Sequence, residues 1–220
     1  KVFLLCHPHN PTGHVLDDAE LQRIVDIAER HDLLIISDEI HADLTYDVPH
    51  RPIAPLAPAR TVTIHAASKA FNLAGLRYAL MHVGPAALRT SIASVPNHLY
   101  GEPNLFGATA AHAAWTQGDE WLTAMVGHLD RQRRLAMDLV REQLPGVRAT
   151  LPGATYLLWL DCREAGFGDD PWRAFMRRGV RLSPGPDFGP TGAGHVRLNF
   201  ATSSAVLREI VTRMATPPAP

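Results

Sequence analysis

Lys69 stands in the run Ser68-Lys69-Ala70-Phe71-Asn72-Leu73-Ala74-Gly75-Leu76-Arg77, directly after the apolar stretch Thr61–His65. A lysine in a loop of small residues can form an imine with an aldehyde. An arginine a little further on can hold a phosphate. Taken alone, the lysine could equally be an ordinary solvated one. Two further segments bear on the choice. His7-Pro8-His9-Asn10-Pro11-Thr12-Gly13 follows the apolar run Val2-Phe3-Leu4-Leu5-Cys6, and Ser37-Asp38-Glu39-Ile40-His41-Ala42-Asp43 follows Leu33-Leu34-Ile35-Ile36.

Each motif therefore stands at the C-terminal end of a short strand of the buried type. Between the first two strands, Leu16 to His31 reads as an amphipathic helix with Asp17 or Asp18 as its cap. Leu21, Ile24, Val25 and Ala28 form its apolar face. Strand, helix, strand predicts a parallel pair with a crossover. Ligands of such sheets gather beyond the carboxyl ends of the strands, so Asn10, Asp38 and Lys69 are expected to converge. A carboxylate keeps a pyridine nitrogen protonated, an amide donates to a phenolic oxygen, and a lysine amine supplies the imine and then a base. These are the tasks a protein performs for pyridoxal 5′-phosphate (PLP).

With these residues in view, the chain resembles the PLP-dependent enzymes of the class I/II aminotransferase family, fold type I. Asn10-Pro11-Thr12-Gly13, Asp38-Glu39, Ser68-Lys69 with Arg77, and Arg197-Leu198-Asn199-Phe200 occur in the family's order and spacing. The resemblance implies PLP bound through Lys69, with Asp38 on the pyridine nitrogen, Asn10 on the phenolic oxygen, and Ser68 and Arg77 on the phosphate. It assigns Arg197 to the α-carboxylate of an amino-acid substrate; a structural salt bridge is the other reading of that arginine. The run through Asp38, His41 and Asp43 looks most like the cystathionine β-lyase and cystalysin branch. There His41 could donate to the phenolic oxygen, where many aminotransferases have a tyrosine, or could simply pack at the strand end. Two departures stand out. Ala66 replaces the serine or glycine expected three residues before the lysine, and Tyr78 replaces a small aliphatic residue after Arg77.

The implied fold class is α/β: the large domain of fold type I, a mostly parallel sheet with helices, incomplete at its N-terminus, plus a small α+β C-terminal domain. Residues 1–144 are read as part of the large PLP-binding domain and 145–220 as the small one. The boundary falls where Pro145-Gly146 ends a long helix, Asp119 to Leu144. In that helix the run Asp130-Arg131-Gln132-Arg133-Arg134 is expected on solvated faces. Tyr78–Val83, Val147–Thr150, Thr155–Leu160, Val180–Leu182 and His195–Ala201 read as strands. Ala86–Ser94, a segment opening at Pro103-Asn104, Pro171–Arg178 and Ser203–Met214 read as helices. The tail from Thr216 is proline-rich and expected to be loose.

Composition sets outer bounds. The 220 residues are 46% hydrophobic and 20% charged with a net charge of −1, ordinary for a globular protein with a sizeable core. Nothing suggests nucleic acid or an anionic membrane as a partner, and no apolar run approaches the roughly 20 residues of a span. Cys6 and Cys162 form no disulfide framework and suit a reducing cytoplasm. His7, His9 and His14 match no zinc signature, so no metal is expected and these side chains read as polar surface groups. Cys6 reads as a buried structural thiol. The resemblance further implies a homodimer, and upstream strands, a phosphate loop and a ring-stacking aromatic ahead of Lys1. The expected reaction is C–S β-lysis giving pyruvate, ammonia and a thiol. Transamination to a keto acid is the alternative, and a truncated, non-catalytic relative is a further one.

Overall fold

The structure, a computed structural model, describes residues 1–168 and 170–216. The chain forms two compact units: Lys1–His9 with His14–Met125, and Asn10–Gly13 with the chain from Val126 on.

The first unit begins with β1 (Val2–Cys6), α1 (Asp18–Arg30), β2 (Leu34–Asp38), β3 (Thr61–His65) and β4 (Leu80–Val83). The sheet order is β1-β2-β3-β4; the first three strands run parallel and β4 is antiparallel to β3. Alternation along β1 sends Phe3 and Leu5 into a core with Leu21, Val25 and Ala28 of α1, Ile35 of β2, and Ile53 and Ala57 from the β2–β3 connection. Val2 and Leu4, on the other face of the same strand, are 53% and 74% exposed. A capping box starts α1: the Asp17 carboxylate accepts from Glu20 N–H at 2.8 Å, and Glu20 accepts from Asp17 N–H at 2.9 Å. The unit continues through α2 (Ala86–Ala93) and α3 (Leu105–Gln117), the latter capped by Asn104. The division between units falls inside α4 (Asp119–Gln143).

The second unit carries the rest of α4, then β5 (Arg148–Ala149), β6 (Leu157–Asp161), α5 (Pro171–Arg177), β7 (Ser183–Pro184), β8 (His195–Asn199) and α6 (Ser204–Ala215). Its antiparallel sheet has the order β5-β6-β8-β7. Leu139 and Val140 of α4, Leu158 and Leu160 of β6, Val196 and Leu198 of β8, and Leu207 and Val211 of α6 are all buried. The segment Asn10–Gly13 belongs here because Ala154 N–H donates to Gly13 O at 3.0 Å. Gly13 has φ +69°, and a Cβ there would lie 2.3 Å from Pro152 Cβ, so only glycine fits.

Three readings from the sequence need correction. Val180 and Leu182 are buried but are not a strand; the ladder forms one step later, where Ser183 pairs with Arg197. The strand expected from Tyr78 starts at Leu80, because Arg77 is left-handed (φ 50°) and the chain enters the ladder only at Leu80, opposite His65. The Asp130–Arg134 run is not wholly solvated: Gln132 and Arg133 are each 1% exposed. Arg133 donates to Asp130 Oδ1 at 2.6 Å and to Pro152 O at 2.7 Å, while Gln132 donates to Thr202 O at 2.7 Å. Burial is tolerated because the polar heads find partners. The proline-rich tail beyond Thr216 lies outside the described residues. Among the described residues no helix is long and apolar enough to cross a membrane.

Candidate active site

In the first unit, the C-terminal ends of neighbouring parallel strands carry most of the expected site residues. Asp38 ends β2. Its carboxylate is exposed and accepts from Ile40 N–H at 3.1 Å. Glu39 takes the opposite side and is buried at 4% exposure, as alternation along a strand requires. His41, two residues on, is also buried. Beyond β3, a single turn closes with Phe71 N–H on Ala67 O (3.0 Å) and Leu73 N–H on Ser68 O (3.1 Å). Ser68 and Lys69 ride on it half-buried, over buried Ala66, Ala67 and Ala70. The small residues of this loop therefore have a packing role. Among the described residues, the Lys69 ammonium has no hydrogen-bond or ion-pair partner.

The chain from Lys69 to Arg77 is held in an uncommon shape. Asn72 (φ 54°) and Arg77 (φ 50°) are both left-handed, a conformation that non-glycine residues adopt rarely and mostly where the surroundings enforce it. At Arg77 the enforcement comes from α3. Its cap, Asn104, accepts from Phe106 and Gly107 N–H and donates Nδ2–H to Leu76 O at 3.0 Å. A Cβ on Gly107 would sit 2.8 Å from Tyr78 Cβ and 2.9 Å from Leu76 O. Tyr78, unusual after the arginine, is thus seated on a bare helix turn. Arg77 itself is exposed.

The second unit holds the other two expected residues. Arg197 lies on β8 with Trp159 of β6 and Ser183 of β7 directly opposite across the ladders. Its Nη1 donates to Asn10 Oδ1 at 2.6 Å and its Nη2 to Ser183 Oγ at 3.1 Å, with the guanidinium carbon 4.6 Å from the Phe188 ring centroid. Asn10 and Arg197, 187 positions apart, are brought into direct contact. Burial holds the Arg197 pKa below its ordinary value, against the pull of Tyr156. Its Nε–H is buried and has no partner among the described residues. A guanidinium fixed on two sides is held in one orientation, as gripping a carboxylate requires.

The histidine expectation fails for His7, which is fully buried. Its Nε2–H donates to Arg51 O at 3.2 Å and its Nδ1 accepts from Leu16 N–H at 3.5 Å, so the neutral ring is satisfied. Burial, helped by nearby His50, lowers its pKa to about 4. His9 and His14 are exposed. Among the described residues no group of three or more His, Cys, Asp and Glu side chains could hold a metal ion. Cys6 is half-buried rather than buried, its Sγ 3.6 Å from Pro8 O; burial pushes the Cys162 thiol up to about 12. Sequence reasoning missed Ser183 and Phe188 beside Arg197. The register of β7 against β8 is the only signal for Ser183, and Phe188 sits in an irregular loop that offers none.

A family model described as aminotransferase class I and II matches residues 1–214. A Mycobacterium tuberculosis protein provisionally named a cystathionine beta-lyase is 42% identical over 97% of this chain. Cystathionine beta-lyase PatB of Bacillus subtilis is 34% identical over 97% of it. The crystal structure of the PLP-bound C-S lyase from Staphylococcus hominis superposes over 98% of the chain with a TM-score of 0.91 at 30% identity. The chain spans 57% of the length of each of these three.

Proposed function

Because the chain belongs to the aminotransferase class I and II family, with the fold of type I PLP enzymes, we propose that the intact protein is a PLP-dependent C–S β-lyase. The observation that carries the reading is the Lys69 amine, which has no partner among the described residues and stands at the end of the strand next to exposed Asp38. The donor set suits the cofactor: an amine for its aldehyde, a carboxylate for its ring nitrogen, a guanidinium for its phosphate. When bound, PLP supplies the aldehyde that captures amino groups and a ring that accepts the electrons left by the departing α-proton.

The residues divide the work. Asp38 holds the proton on the ring nitrogen, Asn10 and His41 donate to the phenolic oxygen, and Ser68 and Arg77 bind the phosphate. Arg197 grips the substrate carboxylate, and Nζ of Lys69 takes the α-proton as general base. The β-carbon–sulfur bond then breaks with its electron pair on sulfur, and the thiolate picks up a proton. The three-carbon enamine released takes up water and loses ammonia to become pyruvate. The 42% identity to the M. tuberculosis protein and the 34% identity to PatB support lysis. The family description itself favours the second reading, transfer of the amino group to a keto acid.

Residues 1–144 are proposed as part of the large cofactor-binding domain and 145–220 as the small one, in a cytoplasmic homodimer. Borohydride reduction of the loaded protein should fix the cofactor on the peptide containing Lys69, and Lys69→Ala should remove the visible absorbance. Supplied with cystathionine and no keto acid, the intact enzyme should release pyruvate and a free thiol continuously. Strict dependence on an added keto acid, with no thiol released, would leave an aminotransferase.

A further inference from the structure

Behind the exposed Asp38 lies a buried polar cluster that no step above uses. Every polar group of Glu39 is engaged. Its N–H donates to Ile64 O at 2.9 Å and its C=O accepts from His65 Nδ1 at 2.9 Å. Oε1 accepts from Ser37 Oγ at 2.8 Å, and Oε2 lies 2.8 Å from His50 Nε2. Ser37 is 0% exposed and the Glu39 and His50 side chains only 5% and 9%. His7 packs against His50, ring centroids 4.5 Å apart. Burying a carboxylate is expensive unless it is paired, and an apolar side chain filling the same space is often the more stable choice. The cluster therefore calls for a reason beyond packing.

Its position supplies one. Glu39 directly follows Asp38 in the chain, and alternation sends the two carboxylates to opposite sides of the strand end. Asp38 O is also pinned, by His7 N–H at 3.0 Å. With the residue after it tied to β3, to its own strand and to the loop carrying His50, the Asp38 Cα–Cβ vector has little freedom. We propose that Glu39, clamped by Ser37 and His50, is a positioning residue that sets the Asp38 carboxylate for the ring nitrogen of the cofactor. Buried on the opposite side, Glu39 takes no proton from substrate; it acts through Asp38. This rests on the PLP reading.

The test is a double-mutant cycle in the intact protein, reading PLP affinity of the apo-protein by absorbance and the pH profile of the bound cofactor's visible band. Glu39→Gln should weaken PLP binding by about tenfold, the scale seen when a buried partner of a functional ligand is removed, and shift the pH profile. In an Asp38→Asn background the same substitution should change affinity by less than about twofold, since there is no longer a carboxylate to position. Thermal stability should fall equally in both backgrounds. Ser37→Ala, which removes one of the two side-chain donors, carries the same cycle if Glu39→Gln does not fold. Equal loss of affinity in the two backgrounds, or none where Asp38 is intact, would overturn the positioning role while leaving the PLP reading standing. Failure of the unsubstituted protein to bind PLP would overturn both.

Discussion

Acidification from pH 7 to pH 4 is expected to cost the folded state about 3 kcal/mol through His7 alone. The ring is 0% exposed, its Nε2–H is committed to Arg51 O and its Nδ1 to Leu16 N–H. A second proton would break the bond at Nδ1 and bury a charge beside His50, which is why burial first, and His50 second, lower the pKa from 6.5 to about 4. Below pH 6.5 the unfolded chain takes up a proton that the folded chain refuses. Stability from this group is therefore complete above pH 6.5, falls as pH drops, and is gone below about 4. At about 1.4 kcal/mol per pH unit the window amounts to roughly 3 kcal/mol. Urea unfolding of the intact protein at pH 7, 5.5 and 4.5, with His7→Gln in parallel, measures the difference, and an NMR titration of the His7 ring reports its pKa directly. Between pH 7 and 4.5 the wild type should lose roughly 2.5 kcal/mol more than the variant. A ring titrating near 6.5, or two parallel stability curves, would refute the reasoning.

Other substitutions probe other contacts. Arg133→Ala should destabilise the protein by about 3 kcal/mol in urea unfolding, the low end for breaking a buried pair because Asp130 keeps contact with water; no change in midpoint would contradict the burial. Asp17→Ala, which removes the acceptor that starts α1, should cost about 1 kcal/mol by the same assay. Ser183→Ala takes one of the two bonds that fix Arg197. It should raise the KM for the amino-acid substrate by about fivefold with kcat unchanged, and a fall in kcat at constant KM would show that Arg197 does something other than hold the carboxylate.

Much of the framework was legible because it rests on local chemistry. The bounds of β1 and β3 follow from apolar runs that end in polar residues, and the start of α1 from the Asp17-Asp18 pair, the two candidates for its cap. Placing the Asp38 motif beyond a parallel strand needed only the strand–helix–strand order. The failures are of another kind. Arg133 and Gln132 read as solvated because their partners, Pro152 and Thr202, are distant in sequence. His7 read as a surface group because nothing nearby announces that Arg51 will close over it. Val180 and Leu182 carry the burial of a strand without its pairing, a distinction that side-chain pattern cannot make. Within the candidate site, lysine, aspartate and arginine could be named from type and spacing, whereas Ser183, Phe188 and His50 depend on how loops return.

The seat of Tyr78 on α3 has a consequence for anyone engineering this protein. Glycine inside a helix is the standard target of stabilising design, since alanine there gains about 1 kcal/mol of helix propensity. At Gly107 a propensity-guided library would select alanine and rank it among the safest changes. The new methyl would meet the Leu76 carbonyl and the Tyr78 side chain at under 3 Å. The backbone on either side of Arg77 would have to retreat. The product would trade a gain in helix propensity for a clash with the backbone and a displaced Arg77, the residue proposed to bind the phosphate. A ranking by propensity alone would mark as safe a change that harms fold and site together.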